Sequence, residues 1–148
     1  MTDQTFVLAD AHESGSFIIT EANFWRSRGA VLLAAGCGQL KFGTVLGNIA
    51  LTNLWVPSPV FAYDGSHIAA AILWEDTDAS GPSNVIAGAV MRDAEVYAGA
   101  LTYESSVVLP DDKRMKWIQL AAESKIIVRE QDDPEARAAN ALRLTLGW

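Results

Sequence analysis

The chain has 148 residues, half of them hydrophobic and a fifth charged, an ordinary balance for a single folded domain. Eleven Lys and Arg stand against 18 Asp and Glu, a net charge of −7 with neutral His. That sign argues against a protein whose affinity comes from neutralising nucleic-acid phosphates, and equally against one drawn to anionic lipid.

Residues 1–16 read as an N-terminal arm. Phe6-Val7-Leu8-Ala9 is a lone apolar island ahead of Asp10-Ala11-His12-Glu13-Ser14-Gly15-Ser16, too short to fold alone and therefore frayed or docked on something. The first 25 residues hold Asp3, Asp10, Glu13 and Glu21 with no Lys or Arg, a local charge of −4. Met1-Thr2-Asp3-Gln4 offers no basic start to a signal peptide, and no apolar run approaches the ~20 residues that cross a bilayer. A soluble, unexported and uncleaved chain is the expectation.

The text then turns mainly to β. Phe17-Ile18-Ile19-Thr20 predicts the first strand, and Val31-Leu32-Leu33 a second, closed by Gly36-Cys37-Gly38. Cys37 is the only cysteine, which excludes an internal disulfide and a thiolate zinc cage. Among small apolar neighbours it reads as a buried hydrophobe in preference to a reactive thiol. From Gly38 to Gly47, Leu40 and Phe42 alternate with polar residues, and Gly38, Gly43 and Gly47 punctuate the run as turns or bulges. Pro57 and Pro59 mark a loop.

Val60 to Ile68 predicts a hairpin turned by Asp64-Gly65, and Ile68 to Trp74 a strand buried on both faces. A polar loop from Asp76 to Asn84 precedes the runs Val85–Met91, Ala94–Tyr97 and Ala100–Tyr103. Pro110-Asp111-Asp112 opens a helix in which Trp117, Leu120, Ala121 and Ser124 face inward and Lys113, Arg114 and Lys116 face solvent. Ile126-Ile127-Val128 reads as a strand. Asp133-Pro134-Glu135 opens a second helix, with Ala138, Ala141, Leu142 and Thr145 on one face and an apolar end at Leu144, Leu146 and Trp148.

Residues for catalysis are scarce. His12 lies in the arm and His67 follows a turn, where a solvated ring is the simpler explanation. Asp76 and Asp78 resemble half of a calcium loop, but the glycine and distal glutamate it needs are out of register, which favours a solvated loop. Asp93 and Glu95 beside Arg92 read as a salt-bridged strand end in preference to a glycosidase pair. No cofactor or metal set emerges. Of the five tryptophans, Trp74 and Trp117 have core contexts, whereas Trp25, Trp55 and Trp148 fall in turn-like or terminal segments and read as interface anchors.

Several motifs are shared with a known family. Gly15-Ser16-Phe17-Ile18-Ile19-Thr20-Glu21-Ala22-Asn23, followed by Arg26-Ser27-Arg28, resembles the N-terminal segment of the lambda-type phage head decoration proteins. Gly38 to Gly47 is similar to their Gly-x-Leu-x-x-Gly-x-Val-Leu-Gly stretch, Tyr63-Asp64-Gly65 to their aromatic-Asp-Gly turn, and Val90 to Val96 to the strand before their helix. The likeness spans residues 13–130. It departs at Ala71, where a glycine is common, and in the tail from Gln131 to Trp148.

The resemblance implies a mainly β (α+β) fold: a β-clip-like decoration-protein core over residues 17–130 with one short helix. Outside this core stand an extended N-terminal arm, 1–16, and, beyond the family's pattern, the C-terminal helical extension read from the residues, 131–148. The resemblance implies a non-enzymatic cement protein, a homotrimer on the three-fold positions of the expanded icosahedral head, holding it against internal DNA pressure. Its partners would be itself and the major capsid protein, with no nucleic acid, membrane, cofactor or metal. Its place would be the outer surface of the virion head, and the host cytoplasm before assembly. Thr5, Phe6, Val7, Leu8, Phe17 and Ile19 would carry capsid binding by adding a strand to shell segments. Trp25, Arg26, Arg28, Trp55 and Trp148 are the interface candidates. The rival classes are a trimeric β-clip enzyme, and a carbohydrate-binding module displayed on the particle through Trp55 or Tyr97.

Overall fold

The computed structural model describes residues 17–21 and 24–130, with the side chains of Phe24 and Trp25 left aside. The elements in chain order are β1 (Ile18–Glu21), a single helical turn α1 (Phe24–Ser27), β2 (Arg28–Leu33), β3 (Gly38–Leu40), β4 (Val45–Ile49) and β5 (Leu54–Pro57). They continue with β6 (Ala69–Leu73), β7 (Thr77–Ala79), β8 (Val85–Val90), β9 (Ala94–Tyr97), α2 (Pro110–Ser124) and β10 (Ile126–Arg129). The fold is mainly β, as its aromatic and β-branched runs predict.

Five strands close a small barrel in the order β2-β5-β4-β6-β8. Every pair in it is antiparallel except β2–β5, which is parallel and meets at Leu33 and Trp55. Closure gives each of the five strands a neighbour on both sides, so none of them is an open edge. The interior is filled by Val31, Leu33, Leu46, Ala71, Leu73 and Ala89, with further alanines. A five-stranded interior is narrow, and alanine is what fits between the leucines.

A second apolar cluster lies outside the barrel wall. Ile72 and Val90 face away from the interior and meet Phe17, Val96, Leu120 and Ile126. These come from α2 and from a three-stranded sheet, β1-β9-β10, in which β9 is central, antiparallel to β1 and parallel to β10. β6 is therefore apolar on both faces because both are covered, one by the barrel interior and the other by α2. β3 and β7 form a separate antiparallel ribbon.

The helix begins at Pro110 with Asp111 and Asp112 in its first turn, matching the positive end of the helix dipole. It ends at Lys125, whose φ of 52° is left-handed and turns the chain straight into β10.

Four expectations need correction. Val60 to Ile68 is not a hairpin: Asp64-Gly65 does turn, with Gly65 at φ 94°, but no strand flanks it. The ladder positions beside β4 are already held by β5 and β6, so the segment is left as a loop. Trp55 is in a strand, β5, reached by a turn in which Asn53 takes φ 58°. The polar loop 76–84 contains β7, paired with β3. Ala100–Tyr103 contributes only an isolated bridge, Thr44 to Thr102. The predicted arm and the predicted helix from Asp133 lie outside the described residues.

Candidate functional site

The sheet β1-β9-β10 fixes where both ends of the chain leave the fold. Tyr97 N–H donates to the Phe17 carbonyl at 2.9 Å, and Arg129 is in register with Tyr97. Because β1 runs against β9 and β10 runs with it, the start of β1 and the end of β10 flank Tyr97 at one end of the sheet. Two strand spacings separate them, roughly 10 Å. β1 pairs only with β9 among the described residues, so it is an outer strand of this sheet.

Phe17, expected among the docking residues, is fully buried. Its ring stacks on Phe42 at 6.4 Å and meets Trp74 edge-on at 6.1 Å. It anchors the start of β1 in the core. Ile19 is half-buried in β1. Thr5, Phe6, Val7, Leu8 and Trp148 lie outside the described residues, as does the Trp25 side chain.

The two arginines brace this part of the fold. Arg28 Nε and Nη2 donate to both carboxylate oxygens of Glu21, at 3.1 and 2.6 Å, and its guanidinium lies 3.4 Å over the Trp74 ring. It thereby fastens β1 to the barrel with a forked, charge-assisted pair and a cation–π contact. Arg26 pairs with Asp93 at 3.1 Å, and Arg92 donates to the Arg26 carbonyl, which ties α1 to the turn before β9. Trp55 is half-buried against the barrel core.

A second construction was not foreseen. Lys116, expected in solvent, is buried, and its Nζ donates to Ser58 Oγ at 2.9 Å and to the carbonyls of Pro59 and His67 at 2.6 Å each. Burial pushes its pKa down, with Glu104 and Asp112 pulling the other way. Lys116 sits one helical turn before buried Leu120 and two before Ser124, whose Oγ donates to the Ala70 carbonyl. Helical spacing alone places it inward; its charge misled.

The ammonium clasps the 58–68 loop to α2. Further bonds set the same loop: Ser58 Oγ to the Ser66 carbonyl at 2.8 Å, Ser66 N and Oγ to Asp64 at 3.0 and 2.6 Å, and Val60 N to Ser106 Oγ at 3.0 Å. Gly47 lets the loop lie against β4, since a Cβ there would stand 1.9 Å from the Ser66 carbonyl oxygen. His67, expected in solvent, is half-buried, and its Nδ1 is the buried side-chain polar atom left without a partner among the described residues.

Several other polar groups are tied into the fold. An open cleft of about 450 Å³ beside β3 includes Cys37, Lys41, Tyr103 and Glu104 in its lining. Burial raises the Cys37 thiol pKa, away from the thiolate a nucleophile needs. Tyr103 Oη accepts from Trp117 at 2.7 Å, and Glu104 accepts from Ser106 N at 2.6 Å. Asp93 and Glu95 each pair with an arginine, Arg26 and Arg129. Asp76 accepts from Phe42 N, and Asp78 from Ser80. No group of three or more His, Cys, Asp or Glu side chains is placed to hold a metal among the described residues.

The described residues thus give a small closed barrel, several carboxylates bonded within the chain, and apolar side chains of the 58–68 and 104–109 segments exposed to solvent. The family model for bacteriophage lambda head decoration protein D matches residues 7–126, and the chain belongs to that family. It is therefore a structural protein of the phage capsid. No individual curated protein matches the chain. Among the described residues no helix is long and apolar enough to cross a membrane.

Proposed function

We propose that this decoration protein acts as a non-enzymatic cement: a homotrimer on the three-fold positions of the expanded head, holding the shell against the pressure of packaged DNA. The observation that carries the proposal is the family match over residues 7–126. A trimer that binds only the expanded shell stabilises that state by its binding free energy. Residues 1–16 are the docking arm, 17–130 the core, and 131–148 an extension that docks on its own core or on a neighbouring subunit.

The arm's route out of the fold supports its role. It continues an outer strand whose root is locked by Phe17 and by the Arg28–Glu21 pair. Thr5 to Leu8 can then add to an exposed edge of the major capsid protein, with alternate side chains entering pockets. Deleting residues 2–14 is expected to leave a folded trimer that no longer decorates shells. Purified wild-type and truncated protein are mixed with undecorated expanded capsids, sedimented, and imaged at the three-fold positions. Full occupancy by the truncated chain would remove the arm from the mechanism.

A further inference from the structure

α2 is apolar on two opposite faces, and the fold covers only one of them. Lys116 and Leu120 face inward and are buried. Met115, Ile118 and Ala122, at i, i+3 and i+7, line the side turned away from the core, where Met115 is 51% and Ile118 62% exposed. Between Met115 and Ala122 the sole charged residue is Lys116, which points inward. Asp111 stands one turn before the stripe in an ion pair with Arg114, and Glu123 and Lys125 follow it. A surface helix ordinarily turns polar side chains to solvent, so a two-turn apolar seam on its outer side marks a surface that something covers.

The chain itself supplies a fitting segment. α2 passes through the left-handed turn at Lys125 directly into β10, and the two elements pack together. Residues 131–148 therefore start from a strand that already lies against α2. Their sequence predicts a helix opening at Asp133-Pro134, with Ala138, Ala141, Leu142 and Thr145 on one face, extended by Leu146 and Trp148. Arg137, Asn140 and Arg143 fall on the opposite side.

Reach and charge agree with this occupant. α2 has 15 residues and so has the stretch 134–148, about 22 Å of helix each. The link from Glu130 to Pro134 extends at most about 14 Å, enough to cross a helix roughly 10–12 Å wide. Ala138 and Ala141 leave room for Met115 and Ile118 to interdigitate. The tail opens with Asp132, Asp133 and Glu135, opposite in sign to Arg114 and Lys125 on α2, which orients a contact more than it strengthens one. The N-terminal arm fits less well, because it enters through β1, which β9 separates from β10. An isolated helix of this length is marginal in water, so the tail needs an apolar surface to form on. We infer that residues 134–148 form a helix that covers Met115, Ile118 and Ala122 of the same chain. The inference rests on the reading above that the tail docks, and assigns the contact to α2.

Trypsin tests it, because Arg137 and Arg143 lie within the proposed helix. Full-length wild type, Met115→Glu/Ile118→Glu and Leu142→Glu/Leu146→Glu are digested briefly beside a synthetic 131–148 peptide, with circular dichroism as the check on folding. Met115 and Ile118 are exposed, so a folded core is expected in the α2 variant. Wild-type cutting at both arginines should be at least about tenfold slower than in the peptide, and both variants should return to the peptide's rate. A tail that stays protected in the α2 variant is seated elsewhere and overturns the inference. Cutting of the wild type at the peptide's rate removes tail docking altogether, a distinct result. Independently, Ile118→Cys/Leu142→Cys, made with Cys37→Ser, is treated with a short bis-maleimide and run on a denaturing gel. A bridge within one chain is expected; a bridge between two chains, or none, overturns the assignment.

Discussion

Lys116 places an ammonium in the interior with no carboxylate bonded to it, its three donors taken by a serine hydroxyl and two carbonyls. Burying such a charge is costly unless each donor finds an acceptor, and here each does. The residue gains its effect by joining two elements that share no ladder, α2 and the 58–68 loop. Lys116→Met keeps the stem's packing but strands the carbonyls of Pro59 and His67, while relieving the cost of the charge. We expect a net loss of roughly 2–3 kcal/mol, read from the urea midpoint. Amide exchange should accelerate in the loop and stay slow in α2. Equal acceleration in both would mean that the clasp holds the whole fold and not the loop. The sequence holds the signal for this residue in its helical period, one turn before Leu120, but charge is the stronger cue in isolation. Only the loop's carbonyls, distant in sequence, make the inward position tolerable.

At the scale of elements, what could be read locally was read well. Strand β1, the helix opening at Pro110 and the strand after it follow from β-branched runs and from Pro with acids at a helix start. The misread segments depend on partners far along the chain. Val60 to Tyr63 has strand composition but finds the edges of β4 already occupied, while Thr77–Ala79 is polar yet pairs because β3 lies beside it. Barrel closure, with its one parallel pair, has no local signature. Among the docking candidates, Phe17 and Arg28 secure the fold through contacts with Phe42, Trp74 and Glu21, partners that no local pattern reveals.

The Asp64 turn makes this loop acid-sensitive. Bonds from the Ser66 hydroxyl and N–H hold the Asp64 carboxyl below its ordinary value. A depressed pKa contributes stability above the unfolded value, about 3.9, and that contribution is lost as pH falls through the lower folded value. Asp64→Ala should therefore lower the urea midpoint at pH 7, and the gap from wild type should close in strong acid. Asp78 with Ser80 repeats the arrangement, so the wild type keeps other acid-sensitive contacts. A gap that stays constant down to pH 2 would assign the effect to packing and not to the carboxylate.

At the scale of the whole molecule, the start of β1 and the end of β10 lie beside Tyr97 at one end of the β1-β9-β10 sheet, so on the proposed reading the docking arm leaves from there. A net charge of −7 suits the position proposed for this chain, on the outside of a DNA container. If three arms are held by one ring, each needs only a modest contact, because the second and third engage at a high effective concentration. A chain held monomeric, with its arm intact, should still bind expanded shells, but about 10²–10⁴-fold more weakly than the proposed trimer. An armless trimer should bind less than either. Titrating the three proteins against a fixed number of shells and counting bound chains by sedimentation gives that order directly. A monomer that binds as tightly as the wild type would place the whole affinity in a single arm and remove avidity from the mechanism.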